Sequence, residues 1–224
     1  MAKQTDGKDL ASSIFNDIGK RILSLDLEPG QEISENGICE HYEASRTPVK
    51  TALNRLRDEG FIFMSPYRQM HVKRINVDET LQYMYGRVAI ETRIIRDFLR
   101  QGSPLLLEDV AHMIRKQEIV ASHVPVDVME FHELDVAFHE TWYKAMDKPR
   151  LFRQLKENMD YIRLKILDYK RIQEYETIIG EHRAIYECIR QRDEERLPVV
   201  LKTHIWDHIA SLIEHSRKEK DYFI

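Results

Sequence analysis

Ile14, Ile18, Ile22 and Leu25 recur every three or four residues, the spacing of one helix face. They predict a first helix between Asp9 and Asp26, ended by Glu28-Pro29-Gly30. A second, short helix is expected to start at Ser34, which fits an N-cap, with Ile33 and Ile38 at the two positions of a hydrophobic staple. Gly37 weakens that helix by roughly 1 kcal/mol against alanine. In a third helix Ser45 or Thr47 is the cap and Pro48 suits the first turn. Val49, Ala52, Leu53 and Leu56 form its buried stripe, while Arg46, Lys50 and Asn54 step by four along another face. Asp58-Glu59-Gly60 stops it. Two β-like runs, 61–64 and 70–75, flank Ser65-Pro66-Tyr67-Arg68-Gln69 and predict a hairpin with a basic tip. Three short helices and a hairpin within this span form a winged helix-turn-helix pattern.

Beyond this point the pattern is helical. Asn76-Val77-Asp78-Glu79 reads as a capping box. Helices are predicted over 77–101, 104–122, 127–146, 149–168, 171–191 and 194–217. Short connections imply antiparallel neighbours and hence a bundle. The expected fold is mainly α: a winged helix-turn-helix domain over 9–75 with a small β-hairpin wing, then an antiparallel all-helical domain over 76–220.

Composition narrows the class. The 224 residues are 42% hydrophobic and 32% charged, enough for a sizeable core. No apolar run nears the ~18–20 residues that span a bilayer, and the polar stretch from Met1 to Asp9 lacks the apolar region of a signal peptide. Cys39 and Cys188 form no CxxC and no framework spacing, which excludes a disulfide scaffold and suits a reducing cytoplasm. The net charge of −4 is unevenly spread: residues 1–44 carry −5, 45–76 carry +5 and 77–224 carry −4. The short basic block falls on the third helix and the hairpin, where a localised anion-binding surface is expected.

The segment Glu28-Pro-Gly-Gln-Glu-Ile-Ser-Glu, followed by Ser45-Arg-Thr-Pro-Val-Lys-Thr-Ala-Leu-Asn-Arg-Leu-Arg-Asp-Glu-Gly60, closely resembles the GntR family of bacterial transcription regulators. The resemblance covers 9–75 and implies that the third helix enters the major groove by its N-terminal end. Arg46 matches the family's base-contacting arginine, whose fork can pair with guanine O6 and N7. Thr47 is placed for a phosphate. Lys50 stands where the family often has arginine, which favours a phosphate contact or a looser guanine contact. At the wing, Arg68 precedes Gln69 rather than the family's usual glycine; Arg68 and His71 are the expected minor-groove or phosphate contacts.

Asp135 and His139 lie i, i+4, about 40° apart on one helix face, a spacing that suits a shared pair of metal ligands. With Glu181-His-Arg-Ala-Ile185 and Thr203-His-Ile205 they give ligand gaps of 4, 43 and 22 residues. This set resembles the FCD ligand-sensing domain of FadR-type GntR regulators, and six predicted helices resemble its VanR-type subgroup. The resemblance implies that Asp135, His139, His182 and His204 hold one divalent transition metal per chain. Three imidazoles and a carboxylate suit Zn, and also Ni, Co or Mn. His132 and His208 are rival ligands by position. The resemblance extends to the family's R-x-x-x-E pattern and implies that Arg87 partners an effector carboxylate, with Tyr83 one turn earlier on the same face; the alternative is a surface ion pair between Arg87 and Glu91. Met84, Phe131, Phe138, Trp142 and Trp206 fall at core spacing, with Trp142 or Phe138 the candidates to line a pocket.

Together these readings predict a cytoplasmic, dimeric, non-enzymatic transcription factor that binds an inverted-repeat DNA operator and a small organic acid. The rivals are a regulator that senses the metal itself and a mononuclear metal hydrolase. For the hydrolase, Glu181 and His132 are the sole general-base candidates and the first domain goes unexplained.

Overall fold

The computed structural model describes residues 3–65, 69–101, 104–156, 158–172, 175–216 and 222–224. Its contacts divide the chain into two units. One is Met1–Asn76 together with the C-terminal tail, and the other is Val77–Ser216.

The first unit holds α1 (Lys3–Leu23), β1 (Glu32–Ile33), α2 (Glu35–His41), α3 (Arg46–Asp58), β2 (Ile62–Met64) and β3 (Met70–Val72). The predicted stripes are its core: Ile14, Ile18 and Ile22 of α1 meet Val49, Ala52, Leu53 and Leu56 of α3, with Ile38, Ile62 and Val72 closing around them. Each buried Ile, Leu or Val among them is worth about 1.5–3 kcal/mol. Ser34 caps α2, its Oγ accepting from the Gly37 amide at 3.0 Å. A Cβ on residue 37 would lie 2.9 Å from that Oγ, so the glycine that weakens the helix also makes room for its cap. Ser45 stands at the N-cap of α3 but makes no side-chain capping bond. The hairpin β2–β3 is antiparallel as expected, with Phe63 opposite His71. β1 adds to β3 and makes a three-stranded sheet in the order β1-β3-β2. A two-residue strand shows no alternation long enough to read from sequence.

The tail returns to this unit. The Ile75 amide donates to the Tyr222 carbonyl at 2.8 Å, and the Ile224 amide donates to the Ile75 carbonyl at 3.0 Å. Ile75 and Tyr222 are both buried.

The second unit is helical: α4 (Val77–Gln101), α5 (Pro104–Ala121), α6 (Val128–Ala145), α7 (Pro149–Lys156), α8 (Met159–Ile172), α9 (Tyr175–Gln191), α10 (Leu197–Lys202), a π-helical turn (Thr203–Asp207) and α11 (His208–Ser216). The helix expected over 149–168 is two helices. Asn158 starts the second, its Oδ1 accepting from the Tyr161 amide at 2.8 Å. The run expected to begin at 194 starts at Leu197, with a proline in its first turn, and passes through a π turn. Met84, Phe131, Phe138 and Trp142 are fully buried; Trp206 is half-buried. α4, α5, α6, α8, α9 and the α10–α11 run pack around this core, and α7 lies against α6.

Candidate metal centre and nucleic-acid interface

Four buried side chains converge inside the second unit. Asp127 starts α6 by accepting from the amides of Met129 and Glu130, both at 3.0 Å. That helix then presents Asp135 and His139 one turn apart. α9 supplies His182 and the π turn supplies His204, and one ligand atom from each of the four lies within 4.8 Å of the others. The π turn inserts an extra residue per turn at the place from which His204 reaches the group.

His139 Nε2 and His204 Nε2 are 2.9 Å apart, and His182 Nε2 and His204 Nε2 3.1 Å. Asp135 Oδ1 lies 3.2 Å from His182 Nε2, 3.9 Å from His204 Nε2 and 4.0 Å from His139 Nε2. The opposite edge of each ring is committed. His139 Nδ1 donates to Glu91 Oε1, His182 Nδ1 to Gln117 Oε1 at 2.7 Å, and His204 Nδ1 to Glu181 Oε2 at 3.0 Å. With each Nδ1 donating, each neutral ring turns an Nε2 lone pair inward. Burial, with His182 beside it, holds His204 down to about 3, and burial lowers His182 against the pull of Asp135. Asp135 Oδ1 has no hydrogen-bond partner among the described residues. Lone pairs facing one another beside an orphaned carboxylate oxygen are stabilised by a cation at their centre, so these residues could hold a divalent metal.

The outer ring of partners was only partly visible in the sequence. Glu91 accepts from His139, from Trp142 Nε1 at 3.1 Å and from Arg87 Nε at 3.2 Å. Burial pushes its carboxyl up, yet His139 and Arg87 outweigh this and bring it to about 2. The Arg87–Glu91 pair is therefore real, but buried rather than a surface ion pair. Of the rival ligands, His208 sits outside the group and donates to Glu181 at 2.7 Å. His132 is buried, stands apart from the four, and has an unpartnered Nδ1. Phe138 stacks on His182, with centroids 4.1 Å apart. Lys165, Asp168 and Gln117 were not anticipated. A polar residue on the apolar stripe of α5, Gln117 beside Ile114, was the available signal.

Next to Asp135 is a cavity of about 20 Å³, whose polar lining comes from Tyr83, Arg87, Glu91, His132, Asp135, Tyr143 and Tyr161. Neither Trp142 nor Phe138 lines it. Arg87 Cζ lies 5.0 Å from the Tyr161 ring centroid, and Tyr83 Oη donates to the Leu155 carbonyl at 2.7 Å.

In the first unit, Arg46, Thr47 and Lys50 are all exposed on the first turns of α3, while Pro48, Val49 and Ala52 face the core. Arg46 Nη2 is 3.5 Å from Asn36 Oδ1, a long contact that leaves the guanidinium fork available. His71 is half-buried: its Nδ1 lies 3.3 Å from the Gly30 carbonyl, and its ring stacks on Phe63 at 5.4 Å. Arg68 lies outside the described residues.

Comparison with known proteins gives two matches along the chain. The model for bacterial regulatory proteins of the gntR family matches residues 10–80, and the FCD domain model matches residues 83–207. The HTH-type transcriptional repressor RspR of Escherichia coli (strain K12) is 22% identical over 213 residues, covering 94% of this chain and 92% of that protein. The gluconate operon transcriptional repressor of Bacillus subtilis (strain 168) is 24% identical over 181 residues, covering 77% of this chain and 72% of that one. Among solved structures, E. coli McbR/YncC has a similar fold, with TM-score 0.68 at 18% identity, over 92% of this chain and 98% of its own.

Proposed function

The chain belongs to the GntR family of bacterial regulators and carries an FCD domain, and from that premise we propose how its DNA binding is controlled. It is a DNA-binding transcriptional regulator, not an enzyme. Our reading is that one divalent metal per chain, held by Asp135, His139, His182 and His204, anchors a small carboxylate effector, and that effector capture changes operator affinity. The observation that carries it is the convergence of three Nε2 atoms and Asp135 Oδ1 with their outward atoms already hydrogen-bonded.

A divalent ion supplies Lewis-acid positions for a carboxylate oxygen. The remaining work falls to the chain. Glu91, Gln117 and Glu181 fix the three imidazole orientations. Arg87 keeps its Nε on Glu91 and offers its terminal nitrogens to an anion in the cavity. Tyr83, Arg87 and Glu91 all lie on α4, which begins at Val77, directly after the first unit. A ligand that shifts α4 therefore acts on the junction to the DNA-binding unit, and biases it by its differential affinity for the two arrangements. In that unit Arg46 reads guanine, and Thr47, Lys50, Arg68 and His71 contact the backbone or minor groove. A two-fold homodimer on an inverted-repeat operator suits such a reader. No described helix is long and apolar enough to cross a membrane.

Fluorescence anisotropy on a labelled operator, with holo and chelator-stripped protein and a carboxylate panel, tests this reading. Operator release by a carboxylate with holo protein alone is the expected result; equal release from both forms refutes it. A second reading takes the metal itself as the signal. It draws on the small cavity, and predicts that metal alone switches operator binding whatever carboxylate is present.

A further inference from the structure

We infer that His208 is a positioning residue that latches the solvent-facing edge of the metal centre: it holds Glu181 against His204 and so slows exchange of the bound ion. This rests on the reading above, that Asp135, His139, His182 and His204 hold a divalent metal.

The outer partners of the three imidazoles differ in how they are sealed. The Glu91 side chain is 1% exposed and is gripped by His139, Trp142 and Arg87 together. Gln117 is fully buried. The Glu181 side chain is 14% exposed, so of the three it is the one that meets solvent. Its carboxylate has two donors among the described residues. Oε2 accepts from His204 Nδ1 at 3.0 Å, and Oε1 accepts from His208 Nε2 at 2.7 Å. The His208 side chain is 27% exposed and His204 only 2%. Exposure thus falls stepwise from His208 through Glu181 to the ligand, along a line of two hydrogen bonds.

Chain connectivity turns that line into a clamp. His204 lies in the π turn, and His208 opens α11 four residues later. Both bond to one carboxylate on α9, directly before the ligand His182. Glu181 therefore ties the π turn and the start of α11 to α9 at two points. For the ion to leave, His204 must turn its Nε2 away, which strains or breaks its bond to Glu181. With His208 in place the carboxylate stays where His204 returns to it. Without His208, Oε1 is left to water and the carboxylate is free to rotate off His204. Losing a partner that orients a ligand costs about 10–100-fold in metal binding. Here the loss falls on release, because Asp135, His139 and His182 keep their places and His139 and His182 keep their own partners. An ion that stays while a ligand comes and goes is what an anchor for a carboxylate effector requires.

Stopped-flow release of Co(II) tests the latch, since that ion suits the donor set and its visible bands report coordination. Metal-stripped full-length protein is loaded with Co(II) and mixed with excess EDTA. His208→Leu, which keeps bulk and removes the donor, should release the ion at least tenfold faster than the wild type. His208→Gln, whose amide can donate in place of Nε2–H, should stay within threefold of the wild type. The starting Co(II) spectrum should be the same in all three, because the four ligands are unchanged. In a Glu181→Ala background, adding His208→Leu should change the rate by less than twofold, as expected of a residue that acts through Glu181. Wild-type release rates in His208→Leu, equal acceleration by Gln and Leu, or full acceleration in the Glu181→Ala background would overturn the latch and leave the metal centre standing. An altered spectrum in His208→Leu would overturn it by making His208 a ligand. Failure of the wild type to take up stoichiometric Co(II) would overturn the metal centre itself, and this inference with it.

Discussion

His182 Nδ1 donates to the side-chain oxygen of Gln117 at 2.7 Å, and this bond turns the ring's other nitrogen toward Asp135, 3.2 Å away. Gln117 is fully buried on α5 and touches no other candidate ligand by hydrogen bond in the described residues. Its role is then to fix one ring. Gln117→Ala should weaken metal binding by about 10–100-fold, the usual cost of losing such a partner. Competition against a chromogenic chelator measures this, and unchanged affinity would show that the bond orients nothing.

Metal removal should destabilise the second unit. Without a cation, three inward lone pairs and Asp135 Oδ1 repel one another in a buried space. At a free metal concentration 100-fold above Kd the bound ion contributes about 2.7 kcal/mol, so chelation should lower Tm by several degrees. The double variant His139→Ala, His182→Ala should copurify with no stoichiometric metal and lose its Tm response to chelator. Elemental analysis of protein prepared without a nickel column checks the first; full occupancy would refute the site.

What the sequence made legible follows from physical range. The core stripes of α1 and α3 are local 3.6-residue patterns, and Ile14, Ile18, Ile22, Val49, Ala52, Leu53 and Leu56 are buried as their spacing requires. Asp135 and His139 share a face for the same reason. His182 and His204 come from other helices, 43 and then 22 residues on, and only the family resemblance brought them to the pair. The outer partners were harder. Glu91 was paired with Arg87 by its i, i+4 spacing, but its bond to His139 crosses from α4 to α6. Gln117 and Lys165 carried no motif; each is a polar side chain whose burial arises only from tertiary packing. The break at Asn158 hides in a helical pattern because a cap residue costs little in periodicity. The β1 strand and the Tyr222–Ile75 pairing rest on long-range backbone bonds that side-chain patterns do not encode.

Ile75 is bonded on both its amide and its carbonyl by the tail, at 2.8 and 3.0 Å. A single bridge of this kind opens locally far more readily than a core strand. Removing residues 222–224 should therefore leave the fold and its Tm nearly unchanged but expose the Ile75 amide. Hydrogen exchange should show that amide speeding up at least tenfold while amides of α3 stay protected. Unchanged exchange at Ile75 would mean that the tail does not pair there in solution.

The exposed start of α3 separates sequence reading from charge. Arg46 and Lys50 are both exposed, one turn apart, on the first turns of the helix, and neither contributes to the core made by Val49, Ala52, Leu53 and Leu56. Substituting either should change stability by less than about 0.5 kcal/mol, which thermal melts can confirm. Their effects on DNA should differ in kind. A guanidinium fork can take both O6 and N7 of guanine, so Arg46→Ala should cost about 1–3 kcal/mol per half-site and abolish discrimination between operator and unrelated duplex. An ammonium is a point charge suited to a phosphate, so Lys50→Ala should weaken operator and unrelated DNA alike. It should also reduce the slope of log K against log salt by about one, since one fewer counterion is released. Gel-shift titrations of both variants on both duplexes at several salt concentrations read all of these quantities. Retained discrimination in Arg46→Ala would remove that residue from base reading, and a sequence-selective loss in Lys50→Ala would move the role to Lys50.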